Sequence, residues 1–211
     1  MRTFKRCVML LIGLLIMAFG VGFSIKAGLG TSPISSVPYT LNIITGLSVG
    51  NTTIMLHVTL ILLQILVLRK QYNPVQLTQL IVAVVFGYLT DFAIWALSPI
   101  TITGYPMQWV CCVIGIILVG IGVSFEVTAN VVVLAGEGLV LAICKAFSLQ
   151  FPRTKVCFDV SLVIIACILG LVFLGRIAGV REGTVAAAIC VGMVSKQVNK
   201  PLGAIAKKLI G

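Results

Sequence analysis

The chain has 211 residues, of which 60% are hydrophobic and 9% charged, and its mean hydropathy is +1.20. A soluble domain carries about 25% charged residues, so this composition excludes an ordinary soluble protein and predicts helices that span a membrane. The 15 basic and five acidic residues give a net charge of +10. Because the basic side chains cluster at the ends of apolar runs, they indicate topology-setting charge beside anionic lipid headgroups rather than nucleic-acid binding.

The cysteines and the sparse polar residues exclude several kinds of site. Seven cysteines lie in or beside apolar runs without a C-x-x-C pair, and the chain has one histidine. This spacing favours small packing residues over a disulfide scaffold or a zinc site. No HExxH, GxSxG or paired-carboxylate pattern is present. We therefore expect no metal, no cofactor and no enzymatic activity.

The first half of the chain contains three predicted spans and one interrupted segment. Residues 7–25 follow three basic residues without a clean A-x-A-like cleavage site, which favours a span over a signal peptide. Residues 31–47 are short, polar and broken by Pro33 and Pro38, so we do not expect a lipid-facing helix there. Residues 52–68 and 75–97 are predicted spans, and an uncharged loop follows at 98–107.

The second half repeats this order. Residues 108–128 form a predicted span, residues 131–149 hold an acid, and the basic run at 152–155 predicts a cytoplasmic turn before a span at 156–174. Residues 184–195 are apolar but only about 12 residues long, which predicts a short, tilted or incomplete crossing. The basic tail at 197–211 is predicted to be cytoplasmic and interfacial.

A shift of 102 positions aligns the two halves, for example Gly20 with Gly122 and Phe23 with Phe125. We predict one membrane domain, residues 1–211, with repeats at about 7–97 and 108–196 that each contain an interrupted segment. Chance matches between apolar spans are the alternative. If the interrupted segments re-enter instead of crossing, fewer basic residues lie outside and both termini are cytoplasmic, which fits the positive-inside rule. In the re-entrant arrangement, the basic residues on the outer side of the membrane are Lys26, Arg176 and Arg181. If all segments cross, Arg69 and Lys70 also lie on the outer side.

The strongest candidate for a substrate, proton or cation site is Glu137. It lies between Gly136 and Gly138 inside an apolar run, and a charge in hydrocarbon costs about 3 kcal/mol on insertion scales. The carboxylate must therefore face protein, water or a ligand. The two glycines allow a backbone or ligand to approach closely. An ion pair with another segment, or snorkelling to the interface, is the alternative.

Four further ionisable residues lie in or beside predicted spans. Glu126 ends its span, and Asp159 occupies the position that His57 has in the other half. Because a free histidine side chain titrates near neutral pH, His57 is a candidate for a group that gains and loses a proton, and a hydrogen-bonded packing residue is the alternative. Asp91 lies late in its span, where an interfacial position is the alternative.

The second candidate is the run before the first interrupted helix. Thr31, Ser32 and Ser35 provide hydroxyls, and the glycines before them expose backbone N–H groups ahead of a proline-started helix. This arrangement favours an anion. A turn at the membrane edge is the alternative.

Three motifs together resemble the YczE/YitT-type family of uncharacterised bacterial membrane proteins. They are Ala27-Gly28-Leu29-Gly30-Thr31-Ser32-Pro33, Phe86-Gly87-Tyr88 followed by Asp91, and Arg181-Glu182-Gly183-Thr184. The resemblance implies a location in the bacterial cytoplasmic membrane and gives no substrate.

These patterns together predict an all-α transmembrane helical bundle of six to eight membrane segments. We expect it to transport a small solute, with coupling to protons or cations through Glu137 and with Asp159, Glu126 or His57 assisting. The alternative is a membrane accessory or regulatory protein whose buried polar groups only hold helices together. The expected partners are the lipid bilayer and a small molecule or ion, with no nucleic acid, and a homo-oligomer is compatible with the sequence.

Overall fold

A computed structural model describes the backbone of residues 2–210 and the side chains of residues 3–204 and 206. Helix accounts for 84% of the residues and the described part has no strand, which confirms the all-α prediction. Five helical stretches are long and apolar enough to cross a membrane: Thr3–Ala27, Val49–Gln71, Pro74–Ala96, Tyr105–Ala129 and Phe151–Leu174. The eight α-helices of residues 2–210 are α1 (Arg2–Ala27), α2 (Pro33–Thr45), α3 (Val49–Leu68), α4 (Thr78–Ala96), α5 (Tyr105–Ala129), α6 (Ala135–Phe147), α7 (Phe151–Leu174) and α8 (Glu182–Ile210).

The predicted turn at residues 152–155 is wrong, because these residues form the first turn of α7. Pro152 is placed where a helix tolerates proline, since the N–H groups of the first turn have no partner within the helix. The turn lies earlier, at Ser148, whose left-handed backbone (φ 54°) ends α6. Basic residues at the start of α7 therefore belong to a helix rather than to a loop.

The structure places the apolar residues 184–195 in a longer helix, because α8 runs for 29 residues and contains Pro201. Among the described residues, α8 is not one of the stretches long and apolar enough to cross a membrane, so a short, tilted or incomplete crossing stays a prediction. The backbone of residues 197–210 continues this helix, since lysine is a good helix former and does not end one. The side chains of Lys207 and Lys208, and all of Gly211, lie outside the described residues.

The chain divides into two compact units. Unit 1 comprises Met1–Ser32, Leu89–Val131 and Val180–Gly211, and so holds α1, the second part of α4, α5 and α8. Unit 2 comprises Pro33–Tyr88 and Val132–Gly179, and so holds α2, α3, the first part of α4, α6 and α7. Each unit therefore draws helices from both halves of the sequence.

Four glycines form the crossing of α1 and α5 in unit 1. A Cβ atom built on Gly20 would lie 2.8 Å from the carbonyl oxygen of Gly115, and one built on Gly122 would lie 2.7 Å from that of Gly13. The earlier glycine of α1 thus meets the later glycine of α5, so the two helices run antiparallel. Small residues of this kind allow the backbones of membrane helices to approach closely.

The second part of α4 runs in the same direction as α1. The rings of Phe19 and Phe92 meet edge to face with centroids 6.2 Å apart, and a Cβ on Gly22 would lie 2.9 Å from Cδ1 of Leu97, the residue that directly follows α4. Residues later in α1 therefore meet residues later in α4.

In unit 2 each of the two short helices packs on one long helix from the first half of the sequence and on one from the second half. α2 packs on α7 and α3, and α6 packs on α3 and α7. Thr40 Oγ1 of α2 donates a hydrogen bond to the Ala178 carbonyl (2.9 Å), and Thr52 Oγ1 of α3 donates to that of Pro38 (2.9 Å). α2 begins at Pro33 and α6 at Ala135, 102 positions later. This spacing agrees with the proposed repeat, which stays a prediction.

Candidate functional site

The N-terminal turns of α2 and α6 meet inside unit 2. Each helix has 13 residues and is about 20 Å long, which is shorter than the hydrocarbon core of about 30 Å. A Cβ atom built on Gly136 would collide with Cδ1 of Ile34 and would lie 3.8 Å from the ring of Phe158. Ile34 and Gly136 are the second residues of their helices. The partially positive ends of two helices are therefore close together, and we call this place the α2–α6 junction (residues 33–36 and 135–138).

Glu137 is the third residue of α6, and the structure places it in the first turn of that helix. It is half-buried, while Gly136 and Gly138 on either side are buried. A carboxylate in the first turn is stabilised by the helix dipole. Ser35 is the third residue of α2 and is also buried. The structure thus brings four predicted site residues to the junction.

A buried amide pair, missed from the sequence, holds the start of α6. Gln64 of α3 and Gln79 of α4 are 0% and 2% exposed. Gln64 Nε2 donates to Gln79 Oε1 (3.1 Å) and to the Ala135 carbonyl (3.0 Å). Because that carbonyl only accepts, the amide nitrogen must face it, and the Gln64 oxygen faces the other way.

This orientation places the amide pair against Gly138. A Cβ atom there would lie 2.7 Å from Gln79 Nε2 and 2.9 Å from Gln64 Oε1. Gln64 Oε1 has no hydrogen-bond partner among the described residues. The sequence could have indicated this pair, because Gln64 and Gln79 each lie inside an apolar span and buried polar groups in membrane helices face protein.

Thr31 and Ser32 belong to unit 1, directly before α2, and both are buried. The start of α8 holds the loop that contains them. The Gly183 N–H donates to the Leu29 carbonyl (2.8 Å), and Arg181 Nη1 donates to that of Gly28 (2.9 Å).

A glycine is required at position 30 of this loop. Its φ is +92°, and a Cβ there would lie 2.6 Å from the backbone nitrogen of Arg181. Two of the motifs that carry the family resemblance therefore contact each other.

The remaining predicted residues lie at separate places. Glu126 is 1% exposed on α5 in unit 1, and Asp91 is half-buried on α4 in the same unit. His57 is 2% exposed on α3, with its ring 6.1 Å from that of Phe86. Asp159 accepts a hydrogen bond from Lys155 Nζ (2.6 Å), one turn earlier on α7. The charge of Asp159 is therefore balanced by an ion pair within the same helix.

A cavity of about 620 Å³ lies elsewhere in unit 2, where α6 ends and α7 begins, and Glu137 does not line it. We call it the α6–α7 groove. The groove's lining includes Ile143, Leu149, Arg153, Cys157, Phe158 and Ser161.

Within the described residues, no group of three His, Cys, Asp or Glu side chains is placed to hold a metal ion.

Glu182, at the start of α8, has a shifted pKa. Its carboxylate accepts hydrogen bonds from Arg181 Nη2 (3.2 Å) and Tyr105 OH (3.5 Å). The backbone N–H of Glu182 itself, and then the Arg181 charge, lower the pKa of this carboxyl below its ordinary 4.5. The folded protein therefore favours the ionised form.

We expect Glu182→Gln to lower the melting temperature slightly at pH 7 and not at pH 3. Because the folded pKa is below 4.5, the stabilising contribution is complete above about pH 4.5 and is lost as pH falls through the folded pKa. The effect is small, since the side chain is 39% exposed and its charge is screened. Thermal denaturation of both proteins from pH 3 to pH 7 measures it, and a difference that grows on acidification would contradict this account.

Two curated bacterial proteins are similar to this chain, and both are uncharacterised. The protein YyaS of Bacillus subtilis is 31% identical over 114 residues, which cover 54% of this chain and 55% of that protein. The match thus spans about half of that relative. A protein of Haemophilus influenzae is 28% identical over 192 residues, covering 90% of this chain and 82% of that protein. No solved structure matches.

The family of the chain follows from a match over nearly its whole length. Residues 4–200 match the model described as a family of unknown function (DUF6198). The five apolar helices are those of a membrane protein. The chain therefore belongs to the DUF6198 family, whose function is unknown.

Proposed function

We propose that this protein moves a small solute across the bacterial cytoplasmic membrane and binds it at the α2–α6 junction. The observation that carries the proposal is the contact between Ile34 and Gly136, which brings two helix N-termini together. Transporters commonly bind substrates at discontinuous helices whose N-terminal ends face the solute. Helices too short to cross a membrane are tolerated only where protein or water surrounds them.

The directions of the helices support an arrangement in which α2 re-enters. If α1, α3 and α4 cross and α2 does not, α4 runs parallel to α1 and α5 runs antiparallel to it. If α2 crosses as well, α4 runs antiparallel to α1 and α5 runs parallel to it. The contacts Gly20–Gly115 and Phe19–Phe92 agree with re-entry. With α8 as a sixth crossing, both termini are proposed to be cytoplasmic, and the two halves form inverted repeats.

Membership of the YczE/YitT-type family stays a prediction.

Glu137 is the proposed coupling residue. When ionised, its carboxylate offsets the partial positive charge of about +0.5 at the end of α6. The ionised carboxylate also supplies a negative charge and hydrogen-bond acceptors for a cation or for a donor group of the solute, and protonation or the substitution Glu137→Gln removes that charge. Binding of the solute and of a proton or cation at this residue would therefore be linked.

We expect Glu137→Gln to remove ligand-induced stabilisation. Purified wild type and variant are heated with a panel of metabolites and ions at several pH values. A ligand present at 100 times its dissociation constant stabilises the folded state by about 2.7 kcal/mol. A ligand that stabilises the wild type but not the variant supports both the function and the site. Glu182→Gln, which removes an exposed acid of unit 1, is the control and should keep the shift.

A ligand that stabilises Glu137→Gln as well as the wild type would contradict the role of Glu137. Transport in proteoliposomes that is unchanged by pH and survives this substitution would count against the coupling.

An accessory or regulatory protein is the second candidate, and the packing at Gly138 favours it. The two buried amides lie against this residue, as expected of a polar group that only joins helices. In that case no ligand shifts either protein, and Glu137→Gln is itself strongly destabilised. The same melting experiment thus separates the two functions.

A further inference from the structure

The α6–α7 groove combines apolar walls with a single charge. Leu149, Cys157 and Phe158 contribute apolar surface, and Arg153 is the only charged residue among those that line it. Its volume of about 620 Å³ lies within the range of about 300–1,000 Å³ that is usual for small-molecule sites. The groove therefore has room for part of an amphiphilic molecule.

The charge of Arg153 is not neutralised by the described part of the protein. This side chain is exposed and makes no ion pair or hydrogen bond with the described residues, whereas its neighbour Lys155 is paired with Asp159. The residue that precedes α7, Gln150, makes no side-chain cap hydrogen bond. The partially positive end of α7 thus adds to the charge of Arg153.

The position of the groove places this charge at the membrane edge. α7 begins at Phe151, and Phe151–Leu174 is one of the stretches long and apolar enough to cross a membrane. The first turn of such a helix lies at the depth of the lipid headgroups, where basic side chains attract anionic lipids. The apolar walls lie along the helix, towards the hydrocarbon.

The geometry points to a bound anionic phospholipid, with its phosphodiester at Arg153 and part of an acyl chain in the α6–α7 groove. An arginine pairs with phosphate oxygens through two N–H groups. No acid lines the groove, so the ammonium of a zwitterionic headgroup has no partner there. A soluble phosphate would use the arginine and leave the apolar walls uncovered. This inference is independent of the proposed transport function.

The test is native mass spectrometry of the whole protein, released from detergent with equal amounts of phosphatidylglycerol and phosphatidylcholine. We expect the wild type to retain phosphatidylglycerol preferentially. Arg153→Gln should lower that retention about five-fold, which corresponds to roughly 1 kcal/mol for one basic residue at an anionic surface. Arg176→Gln is the matched control, because Arg176 is an exposed arginine beyond the other end of α7 and should leave retention unchanged.

Two further measurements separate the groove from a diffuse charge effect. Ser161→Trp fills the apolar part without altering charge and should also lower retention of phosphatidylglycerol. Excess inorganic phosphate should not displace the lipid. Equal retention by wild type and Arg153→Gln, an equal loss in Arg176→Gln, or displacement by inorganic phosphate would each overturn the proposal.

Discussion

Gly20→Ala is expected to lower the free energy of unfolding by about 2–3 kcal/mol, as overpacking of a close contact does. A Cβ atom at this position would lie 2.7 Å from the backbone nitrogen of Val119 and 2.8 Å from the carbonyl oxygen of Gly115. Both atoms belong to the backbone of α5, which cannot turn aside as a side chain can. The two helices must therefore separate, and the contacts of the crossing are lost.

Gly192→Ala is the matched control, because a Cβ atom there has no heavy atom within 4 Å. This glycine lies inside α8 of the same unit, so alanine should change stability by no more than about 1 kcal/mol, in the stabilising direction. Unfolding in mixed detergent micelles, followed by circular dichroism, measures both variants. Equal stability of Gly20→Ala and the wild type would show that α1 and α5 are not held together at this crossing.

Gln64→Leu is expected to be the second most damaging change, at about 1–3 kcal/mol. Leucine removes the donor that serves both the Ala135 carbonyl and Gln79 Oε1, and buried polar groups left without a partner are costly. The expected loss of stability is modest, because polar groups in an unfolded membrane protein also find hydrogen-bond partners. The start of α6 should loosen, and hydrogen exchange should quicken there before it does in α5.

The double variant Gln64→Leu/Gln79→Leu distinguishes a hydrogen bond from simple packing. Replacing both partners of a buried hydrogen bond costs less than the sum of the single changes, so we expect a coupling energy of about 0.5–1.5 kcal/mol. Gln71→Leu, at an exposed position after α3, is the control and should change stability little. Strict additivity of the two buried changes would contradict the hydrogen bond.

Segments with clear apolar composition were predictable from the sequence. Each of the five long apolar helical stretches corresponds to a predicted span and differs from it only at the ends. The short helices α2 and α6 lie within the segments 31–47 and 131–149 that were predicted to be interrupted, since proline, serine and glycine in an apolar run have few structures available in a membrane. Whether these segments re-enter stays a prediction. Helix ends were less predictable. The lysines of α8 and Pro152 of α7 look like interruptions, yet helices accommodate both residue types at these positions.

The candidate site was only partly predictable. The acid between two glycines marked residues 136–138 as a candidate site, because a charge in hydrocarbon is costly, but the sequence did not predict that these residues form the first turn of a helix. The amide partners of Gly138 come from two other helices, and composition says nothing about which segments meet. Asp159 looked equivalent to His57 under the 102-residue shift, but its pairing with Lys155 depends on a neighbour that has no counterpart in the first half.

The glycine crossing also has a consequence for synthesis of the protein. Gly20 and its partner Gly115 are separated by about half of the chain, and ribosomes add roughly 5–20 residues per second. The first helix therefore enters the bilayer about 5–20 s before its partner exists. During that interval its glycine-lined face contacts lipid or an insertion factor. An α1 that aggregates or is degraded in this interval is lost before α5 arrives, so we expect cellular yield to depend on the speed of translation as well as on final stability.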